Sequence, residues 1–225
     1  MKQKLILTML LLVVAISCKK DKSTPPDITK GLISYFNFDD NLKDQQGYSN
    51  DGKFSGSAIT YLSGKYGKAL IFNGTNQFVN FKSNSPIISN QISVSCWINS
   101  NDPDLKYPIF FHQNNGGSFG FALKDKLVGF YLALPGFDGY FDSSFQLNSW
   151  NHIVGVYDGS IIKFYLNGAF KGSVSYTENA AFTGFDDFFQ IGYDLNFYWK
   201  GSFDELRIYN RAITPEEVTQ LYNLK

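Results

Sequence analysis

The sequence predicts an all-β fold of two antiparallel sheets packed as a sandwich, with one short C-terminal helix. Three observations lead to this prediction. Aromatic residues make up 17% of the 225 residues, and aromatic and β-branched side chains favour strands. Short apolar runs recur between Gly, Asn and Asp residues at hairpin spacing. One clear helix start occurs, at residues 214–217, whereas a parallel sheet would need alternating strands and helices.

Composition and charge exclude two classes of protein. The chain is 44% hydrophobic and only 18% charged, with 20 Lys and Arg against 20 Asp and Glu. A disordered chain would carry fewer apolar residues and a larger net charge. A nucleic-acid-binding protein would carry a surplus of basic residues to neutralise phosphates. We therefore predict a folded chain with no nucleic-acid partner, and a single all-β domain is common at this length.

Residues 1–17 are predicted to be a signal peptide. Lys2 and Lys4 precede an apolar run over residues 5–16, which is too short to span a bilayer. Small residues then precede Cys18, a pattern that resembles the lipobox of bacterial lipoproteins. The resemblance implies cleavage before Cys18 and acylation of that cysteine. It also implies localisation to the bacterial cell envelope, with membrane contact through the lipid alone. We expect the outer membrane, with a periplasmic and a surface-facing orientation both open. An ordinary secretory signal with an incidental cysteine is the alternative.

Residues 18–30 are predicted to be the lipidated cysteine and a flexible tether, and residues 31–225 the folded domain. The tether is polar and contains the pair Pro25-Pro26. If Cys18 carries lipid, Cys96 is the one remaining cysteine and no internal disulfide can form. Cys96 lies in an apolar strand pattern over residues 92–98, which indicates a buried and inert thiol.

The pattern predicts twelve strands, two hairpin turns and one helix. The predicted strands are residues 32–38, 58–62, 69–72, 78–81, 92–98, 109–111, 119–123, 127–132, 152–157, 161–166, 188–191 and 202–209. The pairs Asp158-Gly159 and Asn167-Gly168 are predicted to form type I′ turns, which need positive φ angles. The helix is predicted to follow Thr214, with Pro at its first position and a Glu that completes a capping box.

Three groups of motifs, in this order, resemble the laminin G-like (concanavalin A-like) jelly-roll domain of bacterial extracellular proteins. They are LISYFNFD at 32–39 with GKALIFNG at 67–74; ISVSCWI at 92–98 with WNHIVGVYDG at 150–159 and FYLNG at 164–168; and GSFDELRIYNRAI at 201–213 before the helix. The resemblance spans about residues 31–224. It implies a two-sheet antiparallel jelly roll with the terminal strands close together. It also implies frequent use in carbohydrate or protein recognition, although fold alone does not decide function.

Recognition of a glycan is the function we expect first, and two aromatic segments are its candidate sites. Residues 135–142 and 194–200 combine rings with carboxylates and amides, and a recognition site joins an apolar platform to a few polar groups. The candidate ligand-binding residues are Phe137, Asp138, Tyr140, Phe141, Tyr198 and Trp199. The alternative for each ring is packing in the core. The alternative function is an adhesive or structural lipoprotein that binds an extracellular protein.

Asp39 and Asp204 are candidates for a structural Ca²⁺ site, the one cofactor the sequence suggests. Strand alternation over residues 203–209 places Asp204 beside Leu206 and Ile208, and a carboxylate on an apolar face must be paired, hydrogen-bonded or metal-bound. The jelly-roll topology would bring Asp39 close, and carboxylate oxygens suit Ca²⁺. Alternatively, Asp204 accepts hydrogen bonds from backbone amides of a neighbouring turn.

A nucleophilic serine and a zinc site are both disfavoured. Residues 116–120, around Ser118, match the G-x-S-x-G nucleophile elbow, but a strand pattern follows where that motif needs a helix. His112 and His152 are far apart and carry no zinc-ligand spacing. His152 alternates with Val154 and Val156, which indicates a packed histidine.

Glycoside hydrolysis is the remaining enzymatic alternative, and we predict no catalytic residue. A retaining glycosidase needs two carboxyl groups about 5–5.5 Å apart. The four Glu residues do not form the Glu-x-Asp-x-Glu motif of related glucanases. Asp138 and Asp142 could share a strand face, but Gly136 and Gly139 indicate a mobile loop there.

Overall fold

The computed structural model describes residues 24–47, 51–82, 89–102, 110–114, 117–124, 127–133, 137–142, 144–176, 188–194 and 197–224. The predicted signal peptide and Cys18 lie outside the described residues. Among the described residues, no helix has the length and hydropathy needed to cross a membrane.

Seventeen strands and one helix make up the described chain. They are β1 (Leu32–Phe36), β2 (Gly52–Ser55), β3 (Thr60–Ser63), β4 (Lys68–Asn73), β5 (Phe78–Lys82), β6 (Ile92–Asn99), β7 (Phe110–Asn114), β8 (Gly117–Lys124), β9 (Leu127–Ala133), β10 (Phe137–Asp142), β11 (Asn151–Tyr157), β12 (Ile161–Leu166), β13 (Ala169–Ser175), β14 (Phe188–Ile191), β15 (Tyr193–Asp194), β16 (Phe197–Tyr198), β17 (Lys200–Tyr209) and α1 (Pro215–Tyr222). All twelve predicted strands are present, most of them within two residues of the predicted bounds.

The strands form two antiparallel sheets that enclose one core. Sheet 1 has the order β13-β12-β11-β6-β17-β4-β3, with β1 also paired to β17. Sheet 2 has the order β10-β9-β8-β7-β14-β5-β2, and β15 and β16 form a separate ribbon. The first and last strands are adjacent, because Phe36 pairs with Leu206. This crossed strand order confirms the predicted jelly-roll sandwich.

The inner faces of the two sheets supply an aromatic core. Phe119, Phe121 and Phe130 from sheet 2 pack with alternate residues of β6 from sheet 1. Cys96 is one of those β6 residues and is fully buried, and burial raises the pKa of its thiol well above the usual value. The prediction of an inert core cysteine is confirmed.

Helix α1 covers the outer face of sheet 1 with a second apolar cluster. Val218 and Leu221 pack against Val154 of β11 and Tyr209 of β17. The predicted capping box is present, because the Thr214 side chain accepts a hydrogen bond from the N–H of the Glu at the third helical position, whose carboxylate accepts one from the Thr214 N–H. The helix therefore turns what would be a solvated sheet face into a buried layer.

Several local predictions need correction. Residues 137–142 form edge strand β10 rather than a mobile loop, because a complete antiparallel ladder to β9 outweighs the turn preference of Gly139. Strands β2, β13, β15 and β16 were not predicted. The turn after β11 centres on residues 159–160, because the Asp158 N–H donates to the Ile161 carbonyl. The Asp158 carboxylate accepts hydrogen bonds from the N–H groups of Ser160 and Ile161. Asn167 and Gly168 both have positive φ, as predicted for a type I′ turn.

A β-bulge in β17 reverses the face predicted for Asp204. The register of β17 against β6 shifts between Asp204 and Arg207, and Glu205 has φ +55°. The extra residue places Asp204 opposite Trp97 on the outer face, while Leu206 and Ile208 point into the core. Strict alternation along this strand was therefore the wrong assumption.

Candidate binding site

Asp204 and Asp39 bind the two sides of one hairpin, the segment that joins β3 to β4. Asp204 Oδ2 accepts hydrogen bonds from the backbone N–H groups of Lys65 and Tyr66 at 2.8 and 3.1 Å. Asp39 Oδ1 accepts one from the backbone N–H of Lys68 at 2.7 Å. Both carboxylates thus contact one hairpin, and Asp204 accepts hydrogen bonds from backbone amides of a turn, as in the alternative to a calcium site.

The Asp204 carboxyl is buried and only half engaged. Burial, opposed by the backbone hydrogen bonds from Tyr66 and Lys65, raises its pKa to about 7. Its Oδ1 has no hydrogen-bond partner among the described residues. A Ca²⁺ ion needs six to eight oxygen ligands, and no group of three acidic, His or Cys side chains placed to hold a metal occurs in the described part of the chain. The calcium assignment for Asp39 and Asp204 stays a prediction.

His152 is a packed residue of the layer beneath α1. Its Nε2 lies 2.9 Å from Ser95 Oγ, and its ring packs against both Trp97 and Tyr222, with centroids 4.9 and 6.0 Å away. Burial first, then the positive charges of Arg207 and a lysine, lowers the pKa of His152 to about 3. The imidazole is therefore neutral at physiological pH, as the predicted packing role requires.

The first aromatic segment, now strand β10, lies at an edge where the two sheets meet. The Tyr140 hydroxyl donates to the backbone carbonyl of Lys171 in β13 at 2.7 Å, and its ring lies over Gly172. The Phe141 ring covers the backbone of Gly129 in β9. Tyr140 thus closes the sandwich edge, while Phe141 packs on the sheet surface. The side chains of Phe137 and Asp138 lie outside what the structure describes.

The second aromatic segment divides between core and surface. Trp199 is 2% exposed and packs in the core, so its ring offers no face to a ligand in this conformation. Tyr198 is half-buried, and its ring centroid lies 4.8 Å from that of Tyr193, which in turn lies 5.4 Å from Phe78.

The two predicted aromatic segments do not converge on one groove. Tyr140 belongs to β10, and Tyr193 follows β14; these strands are separated by β9, β8 and β7. Four strand spacings correspond to about 19 Å. A single site built from Tyr140 and Tyr198 is therefore excluded by the strand order, although Tyr198 alone remains a candidate.

The structure instead shows an asparagine-lined cleft of about 440 Å³ at one end of sheet 1. The cleft is lined by Ile71, Phe72, Asn73, Asn99, Asn101, Asn148, Lys200, Gly201 and Ser202. Three adjacent strands build its floor, because Ser202 of β17 pairs with Asn99 of β6 on one side and with Ile71 of β4 on the other. Neighbouring positions in register share a sheet face, so these side chains project together.

Two loops form the wall of the cleft, and hydrogen bonds of Ser100 hold them in place. The Asn148 N–H donates to the Ser100 carbonyl at 2.8 Å, and the Ser100 hydroxyl donates to the Lys200 carbonyl at 2.6 Å. Asn148 has φ +56°, a left-handed conformation that Asn tolerates. At Gly201 a Cβ would lie 2.4 Å from the Asn99 carbonyl oxygen, so only glycine allows this close approach.

The amides of the cleft are available for a ligand. Among the described residues, no side chain or backbone group hydrogen-bonds the side chains of Asn99, Asn101, Asn148 or Ser202, although Asn73 is engaged by its own turn. Each asparagine offers two donors and an acceptor, and a serine hydroxyl offers both roles. Lys200 adds a positive charge, and none of the described lining residues is a carboxylate. This arrangement suits a polyhydroxylated ligand.

Sequence reasoning missed this cleft because its residues are spread from position 71 to position 202. Asparagine in a turn or at a strand end normally indicates local structure, as at Asn73, whose Oδ1 accepts from the backbone of Thr75. Only the strand order brings β4, β6 and β17 together. The usable signal was the position of Asn99 at the end of a predicted core strand.

Several of the described acidic groups have structural partners. Tyr35 and Arg207 bind the Glu205 carboxylate at 2.9 and 2.7 Å, and Arg211 binds Glu217. Asp142, one of the two carboxylates considered for hydrolysis, accepts a hydrogen bond from the backbone N–H of Ser144.

Comparison with known proteins identifies the family. The model Laminin_G_3, described as the concanavalin A-like lectin/glucanases superfamily, matches residues 73–219. Domain 4 of AbnA, a GH43 extracellular arabinanase from Geobacillus stearothermophilus solved in complex with arabinotriose, is 28% identical, with a TM-score of 0.70 over 85% of this chain and 98% of that one. No curated protein sequence gives a significant match.

More distant structures share the fold alone. The binding domain of Paraclostridial Mosquitocidal Protein 1 is 19% identical, with a TM-score of 0.69 over 88% of this chain. The binding domain of botulinum neurotoxin DC, solved in complex with rat synaptotagmin II, is 15% identical, with a TM-score of 0.70 over 88% of this chain. This chain covers about half of each, 53% and 52% respectively.

Proposed function

The chain belongs to the concanavalin A-like lectin/glucanase superfamily, and from that premise we propose that it is a non-catalytic, envelope-anchored module that binds carbohydrate in the asparagine-lined cleft. The observation that carries the proposal is the set of unengaged amides of Asn99, Asn101 and Asn148 around one cleft. Sugar hydroxyls both donate and accept hydrogen bonds, and an amide side chain answers both roles.

The 28% identical domain of the arabinanase supports a sugar ligand, because that domain was solved with arabinotriose. Arabino-oligosaccharides are therefore the first ligands to test. None of the described lining residues is acidic, and glycoside hydrolysis requires a carboxyl pair, so we propose binding without hydrolysis.

The binding proposal is tested on a glycan array with the chain from residue 18 onward, bearing Cys18→Ser. We expect binding to at least one glycan class, and we expect Asn99→Ala to weaken it about five- to tenfold through the loss of one or two hydrogen bonds. Asn223→Ala, which removes an exposed asparagine at the end of α1, is the matched control and should bind normally. A wild-type chain that binds no glycan, but captures a protein partner, overturns the proposal.

The anchor is a separate part of the proposal. Acylation of Cys18 would hold the domain at the envelope surface with residues 19–30 as tether. Labelled palmitate should be incorporated by the wild-type chain expressed in a bacterium and not by the Cys18→Ala variant. Equal labelling of both chains would refute lipidation at Cys18.

A further inference from the structure

Three half-buried rings form a continuous aromatic row near the asparagine-lined cleft. Phe78 of β5, Tyr193 of β15 and Tyr198 of β16 follow one another with centroid separations of 5.4 and 4.8 Å. Their planes are inclined by 34° and 38°, and at these centroid distances neighbouring rings overlap face to face, with Tyr198 at one end of the row. We refer to Phe78, Tyr193 and Tyr198 as the aromatic row.

The aromatic row adjoins the cleft through one short segment. Tyr198 and Lys200 are separated only by Trp199, whose ring is anchored in the core. Along an extended segment, residues two apart project to the same side, with Cα atoms about 7 Å apart. Tyr198, the last ring of the row, therefore lies close to Lys200, which lines the cleft.

The segment between the row and the cleft is held in place on both sides. The Trp199 N–H donates to the Gly192 carbonyl at 2.8 Å, which fixes the ribbon of β15 and β16. The aliphatic stem of Lys200 lies against the backbone of Gly74, where a Cβ would come within 2.7 Å of it. These two contacts hold the segment between Tyr198 and Lys200 in place, which limits the ordering cost of binding.

We propose that the aromatic row is a second subsite, on which a sugar ring stacks while a neighbouring sugar unit occupies the asparagine-lined cleft. The inference rests on the proposed function and deepens it, because it assigns the ligand as an oligosaccharide chain rather than a single terminal sugar. The chemistry is complementary. The face of the Tyr198 ring that is turned away from Tyr193 accepts the apolar C–H face of a sugar, and the cleft amides bind the hydroxyls of the next unit.

The experiment measures how binding depends on the number of sugar units. An array carries arabinose, xylose, glucose, galactose and mannose, each as a linear series from one to six units, and is probed with the chain from residue 18 bearing Cys18→Ser. We expect affinity to rise from one unit to two or more. Tyr198→Ala should remove that rise, with a loss of about five- to tenfold for the longer chains and little change for the single sugar.

Two variants make the result specific to the Tyr198 ring. Tyr198→Phe keeps the ring and should retain the rise with length. Phe170→Ala removes another ring, 56% exposed on the distant edge strand β13, and should behave as wild type. Binding that does not depend on length, or a rise that Tyr198→Ala leaves intact, overturns the second subsite while the proposed function stands. Absence of signal on every series overturns both.

Discussion

Asp204 Oδ2 lies 2.8 Å from the backbone nitrogen of Lys65, so a buried carboxylate of β17 holds the hairpin that joins β3 to β4. The same hairpin carries Lys65, whose ammonium lies 4.1 Å from the centroid of the Trp97 ring, and Tyr66, whose hydroxyl donates to the carbonyl of Leu224. The Asp204 carboxylate therefore holds in place a hairpin that contacts both Trp97 of β6 and Leu224 near the C-terminal end.

We expect Asp204→Ala to lower the free energy of unfolding by about 2–4 kcal/mol, because it leaves two backbone amides without their acceptor. Urea unfolding followed by fluorescence measures the change. Asp40→Ala is the control, since its ion pair with Lys68 is exposed and surface pairs contribute about 0–1 kcal/mol. Equal losses of unfolding free energy in the two variants would show that the hydrogen bonds of Asp204 contribute no more than an exposed ion pair.

The raised pKa of Asp204 also predicts a pH dependence. The folded state keeps this proton up to about pH 7, whereas the unfolded state releases it near pH 3.8. Folded molecules thus bind more protons between these values, and the contribution of Asp204 to stability falls as pH rises through that window. In Asp204→Asn this contribution should vanish, so stability between pH 4 and 7 should decline more steeply on acidification than in wild type. An unchanged profile would contradict the raised pKa.

His152 predicts the opposite slope. Its pKa is lowered to about 3, while an unfolded histidine titrates near 6.5, so the unfolded state binds more protons between these values. Stability is therefore lost as pH falls from 6.5 towards 3, at up to about 1.4 kcal/mol per pH unit. His152→Gln should flatten this loss in thermal unfolding curves measured across the range. A variant with the wild-type slope would mean that His152 is not buried in its neutral form.

The sequence was sufficient for elements whose signals are local. The turn at Asn167 and Gly168, the capping box at Thr214 and the core position of Cys96 depend on neighbours within a few residues, and all three were predicted. Features that depend on pairing between strands were not predicted. The bulge at Glu205 and the strand character of β10 arise from register against other strands, which periodicity along one strand does not reveal.

The candidate site likewise combines features that the local sequence reveals with features that depend on strand pairing. Tyr198 was identified because its segment is rich in rings and polar residues, but that composition could not show that Trp199 beside it faces the core. The cleft required knowing that β4, β17 and β6 are neighbours. Its residues are ordinary asparagines in sequence, and they become a site only when three strand ends and two loops meet.

Tyr140 is expected to act in stability rather than in binding. Its ring fills the space over Gly172, and its hydroxyl bonds the Lys171 carbonyl. Gly172→Ala would place a methyl group 2.2 Å from ring carbons of Tyr140 and should lower the free energy of unfolding by about 1–3 kcal/mol. Tyr140→Phe should cost about 1 kcal/mol through the lost hydrogen bond. Both variants, once folded, should bind glycan as wild type does, and a selective loss of binding would return Tyr140 to the site.

Asn148 offers a substitution that separates binding from stability. Its backbone has φ +56°, which glycine adopts without strain, and its side chain has no hydrogen-bond partner among the described residues. Asn148→Gly should therefore leave the free energy of unfolding within about 0.5 kcal/mol of wild type, while glycan affinity falls about five- to tenfold with the lost amide. Isothermal titration with the array-selected glycan and urea unfolding measure the two quantities.

The matched control for Asn148→Gly is Asn167→Gly, at a second asparagine with positive φ, +53°. Here the side chain has a structural partner, because its Oδ1 accepts a hydrogen bond from the backbone N–H of His152 at 2.9 Å. We expect Asn167→Gly to lower stability by about 1 kcal/mol and to leave glycan affinity unchanged, the reverse of the Asn148 result. If both variants lost stability and neither lost glycan affinity, the Asn148 side chain would serve only the loop. The cleft would then have to bind its ligand without the Asn148 amide.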